Sequence, residues 1–128
     1  MLNGIHHVAI ICSDYETSKD FYTRILGFKI LAENYRADRD SYKLDLALAD
    51  GTQVELFSFP RAPKRSSFPE AQGLRHLAFN VENVETVCQY LTGLGVEVEP
   101  IRVDEYTGKQ FTFFSDPDDL PLELYQKI

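Results

Sequence analysis

The chain has 128 residues, 44% hydrophobic and 26% charged, which is the composition of one folded domain of ordinary size rather than a disordered segment. Thirteen Lys and Arg against 20 Asp and Glu give a formal charge of −7. That acidity argues against a nucleic-acid binder, whose affinity comes largely from basic contacts to phosphate, and no apolar run approaches the roughly 18–20 residues needed to cross a bilayer.

Residues 5–12, Ile-His-His-Val-Ala-Ile-Ile-Cys, are short, apolar and β-branched, and read as a strand. Ser13 with Glu16 three positions later fits a capping box, so a helix is expected from there to about Leu26, ending at Gly27. Strands follow near 28–35, 42–49 and 52–59, the last two joined at Asp50-Gly51, a hairpin signal because both residues tolerate positive φ. Residues 60–73 carry Pro60, Pro63, Pro69 and a closing Gly73, and read as a connector. Beyond it the order restarts: a strand at 74–81, a helix capped by Asn83 and ended by Gly95, and strands near 96–103, 110–115 and 120–126.

The second half repeats the first. Ile5-His6-His7-Val8-Ala9 aligns with Leu74-Arg75-His76-Leu77-Ala78 at an offset of 69, and Val54-Glu55-Leu56 with Leu122-Glu123-Leu124 at 68. The expected class is α+β, with two tandem βαβββ modules over 5–59 and 74–126 in a single domain, 1–128. The repeat singles out His7, Glu55, His76 and Glu123, one His from each first strand and one Glu from each last strand, 48 and 47 residues apart. If the modules are related by a pseudo-twofold, the four side chains can converge. Two imidazoles and two carboxylates suit a borderline divalent ion such as Zn, Ni, Co, Mn or Fe. Strand alternation puts His7 on the face of Ala9 and Ile11, and Glu55 on that of Gln53 and Phe57. His6 should then face away from His7 and be structural or sit at a solvent edge. Arg61, Lys64 and Arg65 read as a solvated basic loop, with a contact to a substrate carboxylate as the other reading. Cys12 and Cys88 sit in apolar segments and outside any Cys-x-x-Cys pattern, so both are expected to be buried structural thiols in a reduced, cytoplasmic chain. The N-terminal residues have no signal-peptide pattern.

These residues resemble the vicinal oxygen chelate superfamily, also called the glyoxalase/bleomycin resistance/dioxygenase superfamily. The resemblance rests on His7-Val8-Ala9-Ile10 before Asp14, on Ser18-Lys19-Asp20-Phe21-Tyr22 leading to Leu26-Gly27-Phe28, on Val54-Glu55-Leu56 and on His76-Leu77-Ala78-Phe79. It also rests on Asp116-Pro117-Asp118 leading to Leu122-Glu123-Leu124. It implies paired modules forming a cupped sheet. The His-Glu-His-Glu order is similar to that of bacterial glyoxalase I (lactoylglutathione lyase), which implies His7, Glu55, His76 and Glu123 as ligands of nickel or zinc. Glu123 would act as base, with Glu55 its pseudo-symmetric partner. Two departures stand out: Ile11 and Phe59 occupy positions where bacterial glyoxalase I has an Arg and an Asn implicated in binding glutathione. The turn also has Asp119 where the family commonly has Gly, a position Asp can fill because it can enter the left-handed region. The implied activity is a metal-dependent lyase or isomerase acting on a small α-hydroxycarbonyl adduct. A ring-cleaving dioxygenase, an epimerase and a non-catalytic drug binder are the alternatives. A homodimer is expected, as twofold dimers are the commonest oligomers, and the 60–73 connector is long enough for the two modules to pair either within one chain or across the dimer.

Overall fold

The computed structural model describes residues 1–127, which divide into two compact units, Met1–Lys64 and the residues from Arg65 onward. The first unit runs β1 (His7–Cys12), α1 (Tyr15–Asp20, continued by a π-helical turn over Phe21–Ile25), β2 (Lys29–Arg36), β3 (Ser41–Ala47) and β4 (Gln53–Ser58). The second runs β5 (Leu77–Val81), α2 (Val84–Gly93), β6 (Arg102–Val103), β7 (Gln110–Ser115) and β8 (Pro121–Gln126). Each sheet has four strands, in the order β1-β4-β3-β2 in one and β5-β8-β7-β6 in the other. In both, the first strand lies parallel to the last and the other pairings are antiparallel. The helix of each unit makes the crossover that parallel pairing requires. The expected βαβββ repeat is therefore present in both halves.

Local chemistry accounts for the element ends. The N-cap of α1 is Asp14, whose carboxylate accepts a 3.0 Å hydrogen bond from the Thr17 amide, so the capping box expected from Ser13 and Glu16 gives way to a simple N-cap one residue later. That bond to the amide pulls the Asp14 carboxyl below its usual range. Asn83 caps α2 in the same way, accepting from the Thr86 amide at 3.0 Å. The first helix ends in a wider turn, where the Leu26 amide reaches back five residues to the Phe21 carbonyl (3.0 Å) and Gly27 takes φ 76°. In the turn before β8, Asp119 does enter the left-handed region (φ 65°), and Asp116 accepts from the amides of Asp118 and Leu120 at 2.9 Å each.

The strand expected over 96–103 shrinks to Arg102–Val103. Pro100 has no amide to give a ladder. The Glu99 amide still donates to the Phe113 carbonyl (2.9 Å), but the Glu99 carbonyl is taken by the Thr112 side-chain hydroxyl (2.7 Å) rather than by a ladder amide of β7.

One face of each sheet is the core. In the first unit Ile10, Cys12, Val54 and Leu56 are buried together with Tyr22 and Ile25 of the helical segment. In the second, Leu122, Leu124 and Phe114 are buried together with Val84 and Leu91 of α2. Complete burial of a leucine side chain is worth roughly 1.5–3 kcal/mol. Cys12 is buried, and its thiol donates to the Phe57 carbonyl at 3.4 Å. Cys88 is partly buried, and among the described residues neither cysteine is in a disulfide. No helix is long and apolar enough to cross a membrane.

Candidate metal and substrate site

The period-two alternation that buries Val54 and Leu56 turns Glu55 to the opposite face, and the same holds for Glu123 between Leu122 and Leu124. Register then sets the partner. Ala9 pairs with Glu55 and Ala78 pairs with Glu123, so the histidine two residues earlier lies diagonal to the glutamate in each unit. The small alanine leaves the space between them open. As a result His7 Nε2 stands 3.5 Å from Glu55 Oε2, and His76 Nε2 stands 3.4 Å from Glu123 Oε1. All four predicted residues thus fall into two matched pairs, one in each unit. Among the described residues no group of three or more His, Cys, Asp or Glu is assembled.

The donor set and spacing fit a metal edge. With metal–nitrogen and metal–oxygen bonds near 2.0–2.2 Å, two neighbouring ligand atoms sit about 3.0–3.4 Å apart. Both observed separations are close to that value, and both are longer than an ordinary N–H···O hydrogen bond.

The surroundings of the two glutamates differ. Asp45 of β3 lies opposite Glu55 in the ladder, and Lys43 binds Asp45 at 2.7 Å while reaching Glu55 at 3.9 Å. Opposite Glu123 stands Phe113 of β7. Burial pushes the Glu123 carboxyl above its usual range. His76 opposes that shift, Asp104 adds to it and Arg102 opposes it. Phe113 meets the His76 ring edge-on (centroids 5.0 Å apart) and carries the Arg102 guanidinium on its face at 5.6 Å. Tyr125, on the face of Glu123, is held by a 2.8 Å hydrogen bond to Asp104.

His6 departs from expectation. Its Nδ1 lies 2.9 Å from His7 Nδ1, and the rings are edge-on. The strand begins at His7, so alternation does not extend back to His6 and nothing turns it away. This contact to Nδ1 leaves Nε2 of His7 facing Glu55. Of the residues tied to the absent glutathione contacts, Ile11 is half exposed, and Phe59 stacks on Phe57 with the Arg39 guanidinium 5.2 Å over its ring.

In the second unit, His76 borders a pocket of about 260 Å³ also lined by Arg65, Arg75, Arg102, Phe68 and Phe113. The sequence offered Arg65 as a loop residue, with a substrate-carboxylate contact as the second reading, and did not mark Arg75 or Arg102. Lys43 and Asp45 were equally unmarked, though the β3–β4 register would have placed Asp45 beside Glu55.

The chain is 58% identical over 127 residues to the uncharacterized protein YwkD of Bacillus subtilis (strain 168), covering 99% of each. It is 31% identical over 129 residues to Metallothiol transferase FosB of Staphylococcus saprophyticus, covering 98% of this chain and 78% of that one. Among solved structures, the glyoxalase family protein from Enterococcus faecalis is similar at a TM-score of 0.89 and 52% identity, covering 95% of this chain and 96% of that one. A family model described as Glyoxalase/Bleomycin resistance protein/Dioxygenase superfamily matches residues 4–124. With the βαβββ repeat and the matched His–Glu pairs, this match establishes that the chain belongs to the glyoxalase/bleomycin resistance/dioxygenase superfamily.

Proposed function

We propose that the chain is a divalent-metal-dependent lyase or isomerase of glyoxalase I type, acting on a small α-hydroxycarbonyl adduct of the hemithioacetal kind. The observation that carries this reading is the repeated pair, His Nε2 against Glu Oε at 3.5 and 3.4 Å, at matched register in both units. His7, Glu55, His76 and Glu123 would together hold one ion, nickel or zinc first, with the two modules paired either within one chain or across a dimer. Bound there, the ion supplies Lewis acidity that polarises a substrate carbonyl and acidifies the adjoining C–H. Glu123 takes that proton on a carboxylate oxygen and returns it to the neighbouring carbon. Its surroundings favour it over Glu55 for this task. Glu55 has the Lys43 ammonium within 3.9 Å and Asp45 opposite, whereas Glu123 has the apolar Phe113 ring opposite. His6 supports His7 through Nδ1. Ile11 and Phe59 give a charged tripeptide no polar partner, so the adduct's thiol portion is expected to be something other than glutathione.

The test is elemental analysis of protein purified without added metal, followed by assay of the metal-loaded chain with the methylglyoxal–glutathione hemithioacetal and with adducts of other small thiols. About one transition-metal ion per chain, and turnover that Glu123→Gln abolishes while metal stays bound, support the reading. A chain that neither carries nor takes up zinc or nickel overturns it in favour of a non-catalytic binder. A second reading, metal-dependent thiol transfer, is favoured by the 31% identity to Metallothiol transferase FosB, and it predicts that the hemithioacetals are left unisomerised while thiol is consumed only when a separate electrophilic acceptor is supplied.

A further inference from the structure

We infer that the pocket beside His76 is a recognition site for an oxyanion, the carboxylate or phosphate end of the molecule whose reacting oxygens face His76 and Glu123. The inference deepens the proposed function and rests on it for the word substrate, but the pocket's own chemistry stands on separate observations. In a chain with a net charge of −7, this pocket of about 260 Å³ gathers three guanidiniums, from Arg65, Arg75 and Arg102, against two carboxylates, from Glu70 and Glu99. The carboxylates are loosely engaged. Arg75 stands 3.7 Å from Glu70 and Arg102 3.3 Å from Glu99, and all four side chains are more than half exposed. Exposed pairs of this kind contribute little and exchange readily for a better acceptor.

Arg65 is different. Its Nε donates to Ser67 Oγ at 2.7 Å and its Nη2 to the Leu74 carbonyl at 3.0 Å, both neutral acceptors. Among the described residues no carboxylate lies within ion-pair distance of it. Ser67 in turn donates to the Asp119 carbonyl at 2.8 Å, which ties this stretch of chain to the turn before β8. The guanidinium is thus pre-oriented while its charge remains uncompensated, the condition under which a fork of N–H donors binds a planar or tetrahedral oxyanion well. The Arg102 guanidinium stands over Phe111 at 5.0 Å and over Phe113 at 5.6 Å, and the Phe113 ring also meets His76 edge-on. One aromatic surface therefore carries both the arginine and the predicted ligand histidine, so a single small molecule resting on it meets both.

The test titrates the full-length chain with glycolate, glycerol 3-phosphate and glycerol at low ionic strength, following amide chemical shifts, in protein as purified and again after zinc loading. Glycolate or glycerol 3-phosphate is expected to bind and to move the amides of residues 65–76 and 102, while glycerol leaves them unmoved. Whichever anion binds more tightly identifies the group as carboxylate or phosphate. Arg65→Gln and Arg102→Gln are each expected to weaken binding about tenfold, Arg65→Lys less so, and Arg24→Gln in the other unit not at all. Absence of binding by either anion, equal binding of glycerol, or full affinity in both Gln variants of a folded chain overturns the assignment. The two readings fail separately. Zinc uptake without anion binding refutes the pocket alone, and arginine-dependent anion binding in a chain that takes no zinc or nickel refutes the metal reading alone.

Discussion

Zinc at about a hundred times its dissociation constant would stabilise the folded chain by about 2.7 kcal/mol through mass action. For 128 residues the unfolding entropy near the midpoint is about 0.27 kcal/mol per degree, so the thermal midpoint should rise by about 10 °C. The structure makes this rise a test of how the donors are shared. One His–Glu pair belongs to the first unit and an equivalent pair to the second, at 3.5 and 3.4 Å. On the proposal that all four bind one ion, His7→Ala and His76→Ala each remove one of four bonds and weaken zinc on the order of a hundredfold or more. At the same zinc concentration the remaining stabilisation is then about 0.4 kcal/mol, a rise of less than about 2 °C in either variant. Two independent ions, one held by each pair, would instead leave a large rise in both variants. Differential scanning calorimetry with zinc and with chelator measures all of these. A wild-type midpoint indifferent to zinc and nickel refutes metal binding, and a rise kept by His7→Ala but lost by His76→Ala refutes the shared site.

The remaining predictions concern the frame around that site. Leu122 is fully buried beside Glu123, so Leu122→Ala should cost about 3 kcal/mol, or about 11 °C in midpoint, whereas Val103→Ala at an exposed position should stay within about 0.5 kcal/mol. Equal urea midpoints for the two variants would contradict the core described here. Glu123→Gln should leave the metal-free chain at least as stable as the wild type at pH 7. Burial holds the Glu123 carboxyl above its usual range, so its favourable contribution is present below the unfolded-state value near 4.3. That contribution is lost as the pH rises through the folded-state value. The difference between variant and wild type should therefore vanish below about pH 4, and a metal-free wild type that melts above Glu123→Gln at pH 7 would contradict this.

Much of the architecture was legible in the residues because both modules use the same devices. Val54-Glu55-Leu56 and Leu122-Glu123-Leu124 alternate cleanly, and alternation over a buried face leaves one choice of side for the carboxylate. Asn83 capped the helix expected of it, while at the first helix Ser13 and Asp14 compete and the stronger acceptor took the amide. His6 was misplaced because a face argument holds only inside a strand, and β1 starts one residue later. Arg65 lies within the connector, Arg75 just beyond it and Arg102 27 residues further on, and they line one pocket where the connector is tied to the β7–β8 turn, which no periodicity records. The asymmetry between Glu55 and Glu123 likewise depends on which residue of the third strand stands opposite, Asp45 or Phe113.

The shortened β6 has a consequence for the chain among other chains. The outer border of the second sheet is where a foreign strand would add itself, and templated addition needs an unbroken row of free amides and carbonyls. Here the row is two residues long. Pro100 withholds a donor, so an incoming strand finds little to zip onto. The irregular segment thereby guards this border against aggregation.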